Sequence, residues 1–160
     1  MQPFRKRTYK NVGEFLADIR FLLGNLRRLR SIMKGRGLEP RFRERMMLAV
    51  TRVNECRFCA HAHTKFALRE GLTRDEIAAL LGGDLGGCPE GEIEAVLYAR
   101  HWAEANARPD AAARAKLDAL YGAGQADNIE LALRVIRAGN LTGNTVDAFL
   151  HRISGGRWGK

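Results

Sequence analysis

Glu44-Arg45-Met46-Met47-Leu48-Ala49-Val50-Thr51-Arg52-Val53-Asn54-Glu55-Cys56-Arg57-Phe58-Cys59-Ala60-His61-Ala62-His63-Thr64 decides how this chain folds. Met46 to Val50 is apolar on nearly every side of a helix, which describes a helix buried all round. The segment after it reads as another helix, from about Cys56 to Glu70, stopped by Gly71. At about 100° per residue, Cys56, Cys59 and His63 project within roughly 60° of one another, while His61 points to the other side. Two thiols and an imidazole on one stripe are equipped for redox chemistry. The imidazole can take a proton from one sulfur, and the sulfurs are close enough to pair.

The flanking sequence is helical too. Val12, Phe15, Leu16, Ile19, Leu22, Leu23, Leu26, Leu29 and Met33 recur at three-to-four spacing. That spacing predicts one amphipathic, basic helix over 11–35, capped by Asn11 and ended by Gly35-Arg36-Gly37. Residues 1–10 read as a basic N-terminal tail. A helix opens near Pro40, a residue suited to a first turn, and runs to about Val53. Thr73 with Glu76 three residues on forms a capping box. Gly82-Gly83-Asp84-Leu85-Gly86-Gly87-Cys88-Pro89 is the clearest loop. Further helices are expected over 90–107, 110–121 and about 126–153, the last with Gly139 or Gly143 as a joint. No segment alternates with period two in β-branched residues, so an all-helical single domain over 1–160 is the expectation.

Composition narrows the function classes. The 160 residues are 46% hydrophobic and 28% charged, which suits an ordinary domain with its own core. No apolar run approaches the roughly 20 residues that cross a bilayer. The basic start lacks the apolar segment of a signal peptide, so a cytoplasmic address is expected. Three cysteines are too few for a secreted disulfide framework. Cys88 stands apart and reads as an incidental thiol. The whole net charge of +9 lies in residues 1–45, with 13 Lys/Arg against 4 Asp/Glu. Such an excess is either a solvated face or a surface for nucleic acid, an anionic membrane or an acidic partner.

Competing chemistries read differently against the spacing. Two cysteines on a helix can be inert small hydrophobes. Here, however, they stand at a helix start, where free N–H groups and the dipole favour a thiolate. Zinc would need ligands on all sides, and His61 points away from the other three. Haem attachment would need His directly after the second cysteine, where this chain has Ala60. No serine-nucleophile elbow, phosphate loop or dinucleotide fingerprint is present. Glu44, among Arg41, Arg43 and Arg45, reads by itself as a surface ion pair.

The stretch from Glu44 to Thr64, followed by Gly71-Leu72-Thr73, resembles the signature of the carboxymuconolactone decarboxylase superfamily, in the branch similar to the alkylhydroperoxidase AhpD. The close match spans about residues 40–80; Gly139-Asn140-Leu141-Thr142-Gly143-Asn144 is also similar, with no role attached. The resemblance implies an all-α AhpD-like fold, self-association as trimers or hexamers, and thiol peroxidase or dithiol–disulfide exchange activity without a bound cofactor. It implies Cys59 as the peroxide-attacking thiol and Cys56 as the resolving thiol. His63 would draw the proton from Cys59, and Glu44 would orient or relay through His63. The partners implied are a hydroperoxide substrate and an external dithiol reductant, such as a lipoyl-bearing protein. Phe58 occupies the place of a family histidine next to the second cysteine, so one element of that relay is missing. The Cys pair argues against lactone decarboxylation. The alternative is a redox-responsive binding protein whose basic N-terminal helix engages an acidic partner, membrane surface or nucleic acid.

Overall fold

The computed structural model describes residues 4–159 and contains eight helices and no strand among them. They are α1 (Val12–Gly24), α2 (Leu26–Met33), α3 (Pro40–Asn54), α4 (Arg57–Arg69), α5 (Arg74–Gly82), α6 (Glu90–Glu104), α7 (Ala111–Tyr121) and α8 (Ala123–Ile153). The central element is α3, which packs on α4, α5, α6 and α8. Every residue from Phe42 to Thr51 is buried, including the run Met46–Val50 whose apolar pattern predicts it. Met46, Met47 and Leu48 are wholly enclosed, each contributing about 1.5–3 kcal/mol of burial.

Two arginines of the same helix are buried with it. Arg45 reaches Glu76 of α5 at 3.1 Å and Glu92 of α6 at 2.9 Å, tying three helices together. Arg43 donates to the carbonyls of Ile32 and Met33, closing the end of α2. The N-terminus of α5 is the capping box read from Thr73 and Glu76.

The basic helix expected over 11–35 is instead two helices. Asn25, at φ −109° and ψ 15°, leaves helical geometry between them, its side-chain N–H donating back to the Phe21 carbonyl at 2.9 Å. Little of the apolar stripe is covered. No residue of α1 is buried, and Val12, Leu16 and Leu23 are exposed. Ile32 of α2 does enter the core.

Of the tail expected over 1–10, residues 1–3 lie outside the described residues, and the rest lies against the body. Arg7 donates to the carbonyls of Ala103 and Glu104, and the Tyr9 N–H donates to Thr145 Oγ1. Much of the N-terminal positive charge is likewise engaged within the fold: Lys6 pairs with Asp147, Arg28 with Asp127, and Arg41 donates to the Glu70 carbonyl. No helix is long and apolar enough to cross a membrane among the described residues.

Candidate active site

The site begins where α3 ends. Glu55 terminates α3 in the left-handed region, with φ 55° and ψ 34°, a conformation that disfavours a side chain. This residue turns the chain so that Cys56 becomes the N-cap of α4 rather than its first helical residue. Cys56 Sγ accepts the Cys59 backbone N–H at 3.4 Å, in the position a serine or aspartate oxygen fills at most helix starts. The two sulfurs sit 2.8 Å apart as free thiols.

Charge is unevenly shared between them. The bond between the two sulfurs and, after it, the Cys59 and Phe58 backbone N–H groups bring the Cys56 thiol down to about 6 against the upward push of burial. Cys59 is pushed up, by the same interaction and by burial, while Asn140 pulls it down. The backbone N–H groups at the helix start favour placing the pair's first negative charge on Cys56. Exposure runs the other way. Cys56 is 1% exposed, whereas Cys59 is only partly buried. A groove of about 350 Å³ has Cys56 and Ala60 among its lining, with Thr51, Leu81 and the stems of Arg52 and Arg57 at its sides.

The low Cys56 value fixes a pH dependence. The unfolded thiol holds its proton up to about pH 8.5, while the native pair loses one near 6. Unfolded chains thus bind more protons across that window, and stability of the reduced protein rises with pH. Denaturant unfolding at pH 6.0 and 8.0 is expected to show this gain in the reduced protein and not in the disulfide form. An equal response in both forms would remove the thiolate from Cys56.

His63 lies one turn beyond Cys59 on α4. Its Nδ1 meets Glu44 Oε2 at 2.7 Å, so the carboxylate holds the ring in the tautomer that leaves Nε2 as the free base. Glu44 is 1% exposed, which overturns the surface-pair reading of its charge cluster. Its other oxygen accepts from Arg43 at 3.1 Å. No hydrogen bond joins His63 to either sulfur among the described residues. His61 is exposed on the far side of α4, as its spacing indicates. Cys88 lies apart, beside Glu92 and Arg45, with its thiol pushed up by burial.

Three neighbours were not legible as site residues. Asp147, fully buried on α8, receives Arg57 at 2.8 Å and Lys6 at 3.6 Å, and its charge opposes ionisation of Cys56. Asn140 is wholly buried on α8, bonded to Asn54 and Thr51 of α3. Gly143 lets Cys56 approach α8, since a Cβ there would lie 2.9 Å from the sulfur. Gly143→Ala is therefore expected to move Cys56 off its partner and slow disulfide closure by about 100-fold, the penalty of a roughly 1 Å misplacement. Stopped-flow thiol loss after peroxide addition measures it. Gly139→Ala, where a Cβ would sit at an ordinary 3.9 Å from Cys59 Sγ, is the tolerated control.

Compared with known proteins, residues 23–105 match the model of the carboxymuconolactone decarboxylase family. The chain belongs to that family. The match contains α3, α4 and the whole Cys-x-x-Cys-x-x-x-His segment, and the all-helical architecture and the AhpD-like branch are consistent with it. No curated protein and no solved structure gives a match. Family membership and the adjacent Cys56 and Cys59 fit an AhpD-like redox role.

Proposed function

We propose that this protein is a thiol-dependent peroxidase of the AhpD-like kind, cycling Cys56 and Cys59 between dithiol and disulfide. The observation that carries the reading is the pair of free sulfurs 2.8 Å apart, on one helix with an imidazole locked by a buried carboxylate. Cys59, the more accessible sulfur, meets the hydroperoxide. Its proton passes to His63, one helical turn on, and Glu44 stabilises the imidazolium. The Cys59 thiolate forms a bond to the outer oxygen as the O–O bond breaks. The departing alkoxide takes the proton from His63, leaving an alcohol and a Cys59 sulfenic acid.

Cys56 completes the cycle. Its low value makes it a thiolate near neutrality, so it attacks the Cys59 sulfur and expels hydroxide, which is protonated to water. An external dithiol then supplies the two electrons that reopen the disulfide. That reductant attacks the accessible Cys59 sulfur, and Cys56 leaves well because its thiolate is stabilised. The apolar residues left exposed on α1 and at the end of α8, such as Val12, Leu16 and Phe149, support self-association.

Steady-state consumption of an organic hydroperoxide with a dithiol tests the reading. Turnover that needs both substrates, follows a ping-pong pattern and ceases when the dithiol is replaced by ascorbate is expected. No turnover with alkyl hydroperoxides or hydrogen peroxide would refute it.

A further inference from the structure

Two buried side chains of α8 each hold a residue near the N-terminus and a residue near Cys56. Asn144 donates to the Arg7 carbonyl at 2.9 Å and to the Asn54 carbonyl at 2.6 Å. Asp147, less than a turn further on, meets Lys6 at 3.6 Å and Arg57 at 2.8 Å. Asn54 lies two residues before Cys56, and Arg57 directly follows it. Neighbouring residues of the N-terminal segment are thus bridged to the two sides of one thiol. Gly143, next to Asn144, brings the α8 backbone against that thiol, since a Cβ there would lie 2.9 Å from Cys56 Sγ.

Residues 4–9 reach α8 as a strap with its own fastenings. The Arg7 guanidinium donates to the carbonyls of Ala103 and Glu104 at the end of α6. The Tyr9 N–H donates to Thr145 Oγ1 at 3.2 Å, and its hydroxyl to Asp18 of α1 at 2.8 Å. None of residues 4–9 belongs to the hydrophobic core, so filling apolar space does not account for the strap. The turn it reaches needs holding. Glu55, between Asn54 and Cys56, has φ 55°, a conformation that persists in a non-glycine residue only where its surroundings over-determine it.

We propose that Lys6 and Arg7 are positioning residues of the redox site, acting through Asp147 and Asn144 to hold Cys56 where it can close on Cys59. The bridges stand by themselves; that ring closure is a step of turnover rests on the peroxidase reading. Without the strap, each α8 side chain is held at one end only. A buried group that loses a partner re-satisfies itself by moving what it still holds, and here that is the chain on either side of Cys56.

Ring closure can be timed without hydroperoxide in a Cys88→Ser chain, using excess uncharged dithiodipyridine in stopped flow. Cys59 attacks one reagent sulfur, forming a mixed disulfide and releasing a first thiopyridone at a rate set by reagent concentration. Cys56 then attacks the Cys59 sulfur and expels a second thiopyridone at a rate independent of it. Lys6→Met and Arg7→Met are each expected to slow the second release about tenfold while the first stays within about twofold, as a misplaced but intact partner requires. Lys6→Arg should recover most of the loss, and Arg5→Met, at an exposed position of the same strap, should change neither release. An unchanged second release in both Met variants, or equal slowing of the two releases, overturns the proposal. The unmodified chain gives a second readout, because coupling between two sites is reciprocal. Hydrogen exchange of residues 5–9 should differ between the dithiol and disulfide forms, and identical exchange would also overturn it. A chain that passes both tests yet consumes no hydroperoxide would end the peroxidase reading and leave the strap's hold on Cys56 established.

Discussion

Cys59→Ser is expected to reduce hydroperoxide turnover to the uncatalysed background, a loss of about 10³-fold or more. Serine keeps the shape of the side chain but supplies no thiolate near neutrality, so the O–O bond has no nucleophile. Cys56→Ser should fail differently. Cys59 then still attacks once, giving a single stoichiometric oxidation that halts at the sulfenic acid. A sulfenic-acid-trapping diketone should label Cys59 in that variant and label almost nothing in the native chain, where Cys56 closes the disulfide first. The Cys56 variant also loses the acceptor at the start of α4, worth about 1 kcal/mol when a capping side chain is removed. Serine can itself cap, so that loss should be small, and a folded variant with no second turnover is the expected result. Trapping at Cys56 instead of Cys59 would reverse the assigned order of the two thiols.

Replacing Glu44 carries the second large effect, on stability as well as rate. The carboxylate is enclosed between Arg43 and His63, and Arg43 is itself buried. Glu44→Ala leaves that guanidinium without its anion and is expected to cost about 3–5 kcal/mol, read as a lowered urea midpoint. Glu44→Gln keeps the volume and one acceptor oxygen, so it should retain much more of the fold. Its catalytic loss should persist, because a neutral amide does not stabilise the imidazolium that forms on His63. A fall of about 10²-fold in kcat, with KM for hydroperoxide little changed, is the signature of a proton-transfer partner rather than a binding residue. Wild-type kcat in Glu44→Gln would confine Glu44 to a structural role.

The helices that sequence resolves well are those whose pattern is local. The run from Met46 to Val50 admits only a helix enclosed on all sides, and α3 is that helix. Thr73 and Glu76 mark a helix start because the reciprocal bonds lie within four residues. Asn25 shows where local reading fails. Apolar spacing continues across it, and the non-helical backbone at that one residue separates α1 from α2. The stripe's exposure on α1 was equally hidden, since spacing identifies an apolar face without naming what covers it.

The site divides along the same line. Cys56, Cys59 and His63 lie within eight residues, and one helical period suffices to bring them together. Glu44 is in plain view in the sequence, yet its charged neighbours suggest solvent; burial follows only from the helices packed around α3. Asn140, Gly143 and Asp147 are more than 80 residues from the cysteines and join them through the packing of α8 on α4. For Asn140 and Gly143 the signal was the doubled glycine–asparagine spacing, which marks a close approach but not the partner approached. The N-cap position of Cys56 depends on the left-handed turn at Glu55, and a glutamate there gives no warning of it.

The central claim is that Cys56 and Cys59 act as one redox unit. Peptide mass spectrometry after sub-stoichiometric hydroperoxide measures this directly. A loss of two hydrogens confined to the peptide that holds both cysteines, restored on adding a dithiol, is the predicted outcome. Oxidation confined to Cys88, with Cys56 and Cys59 still fully alkylatable, would contradict it.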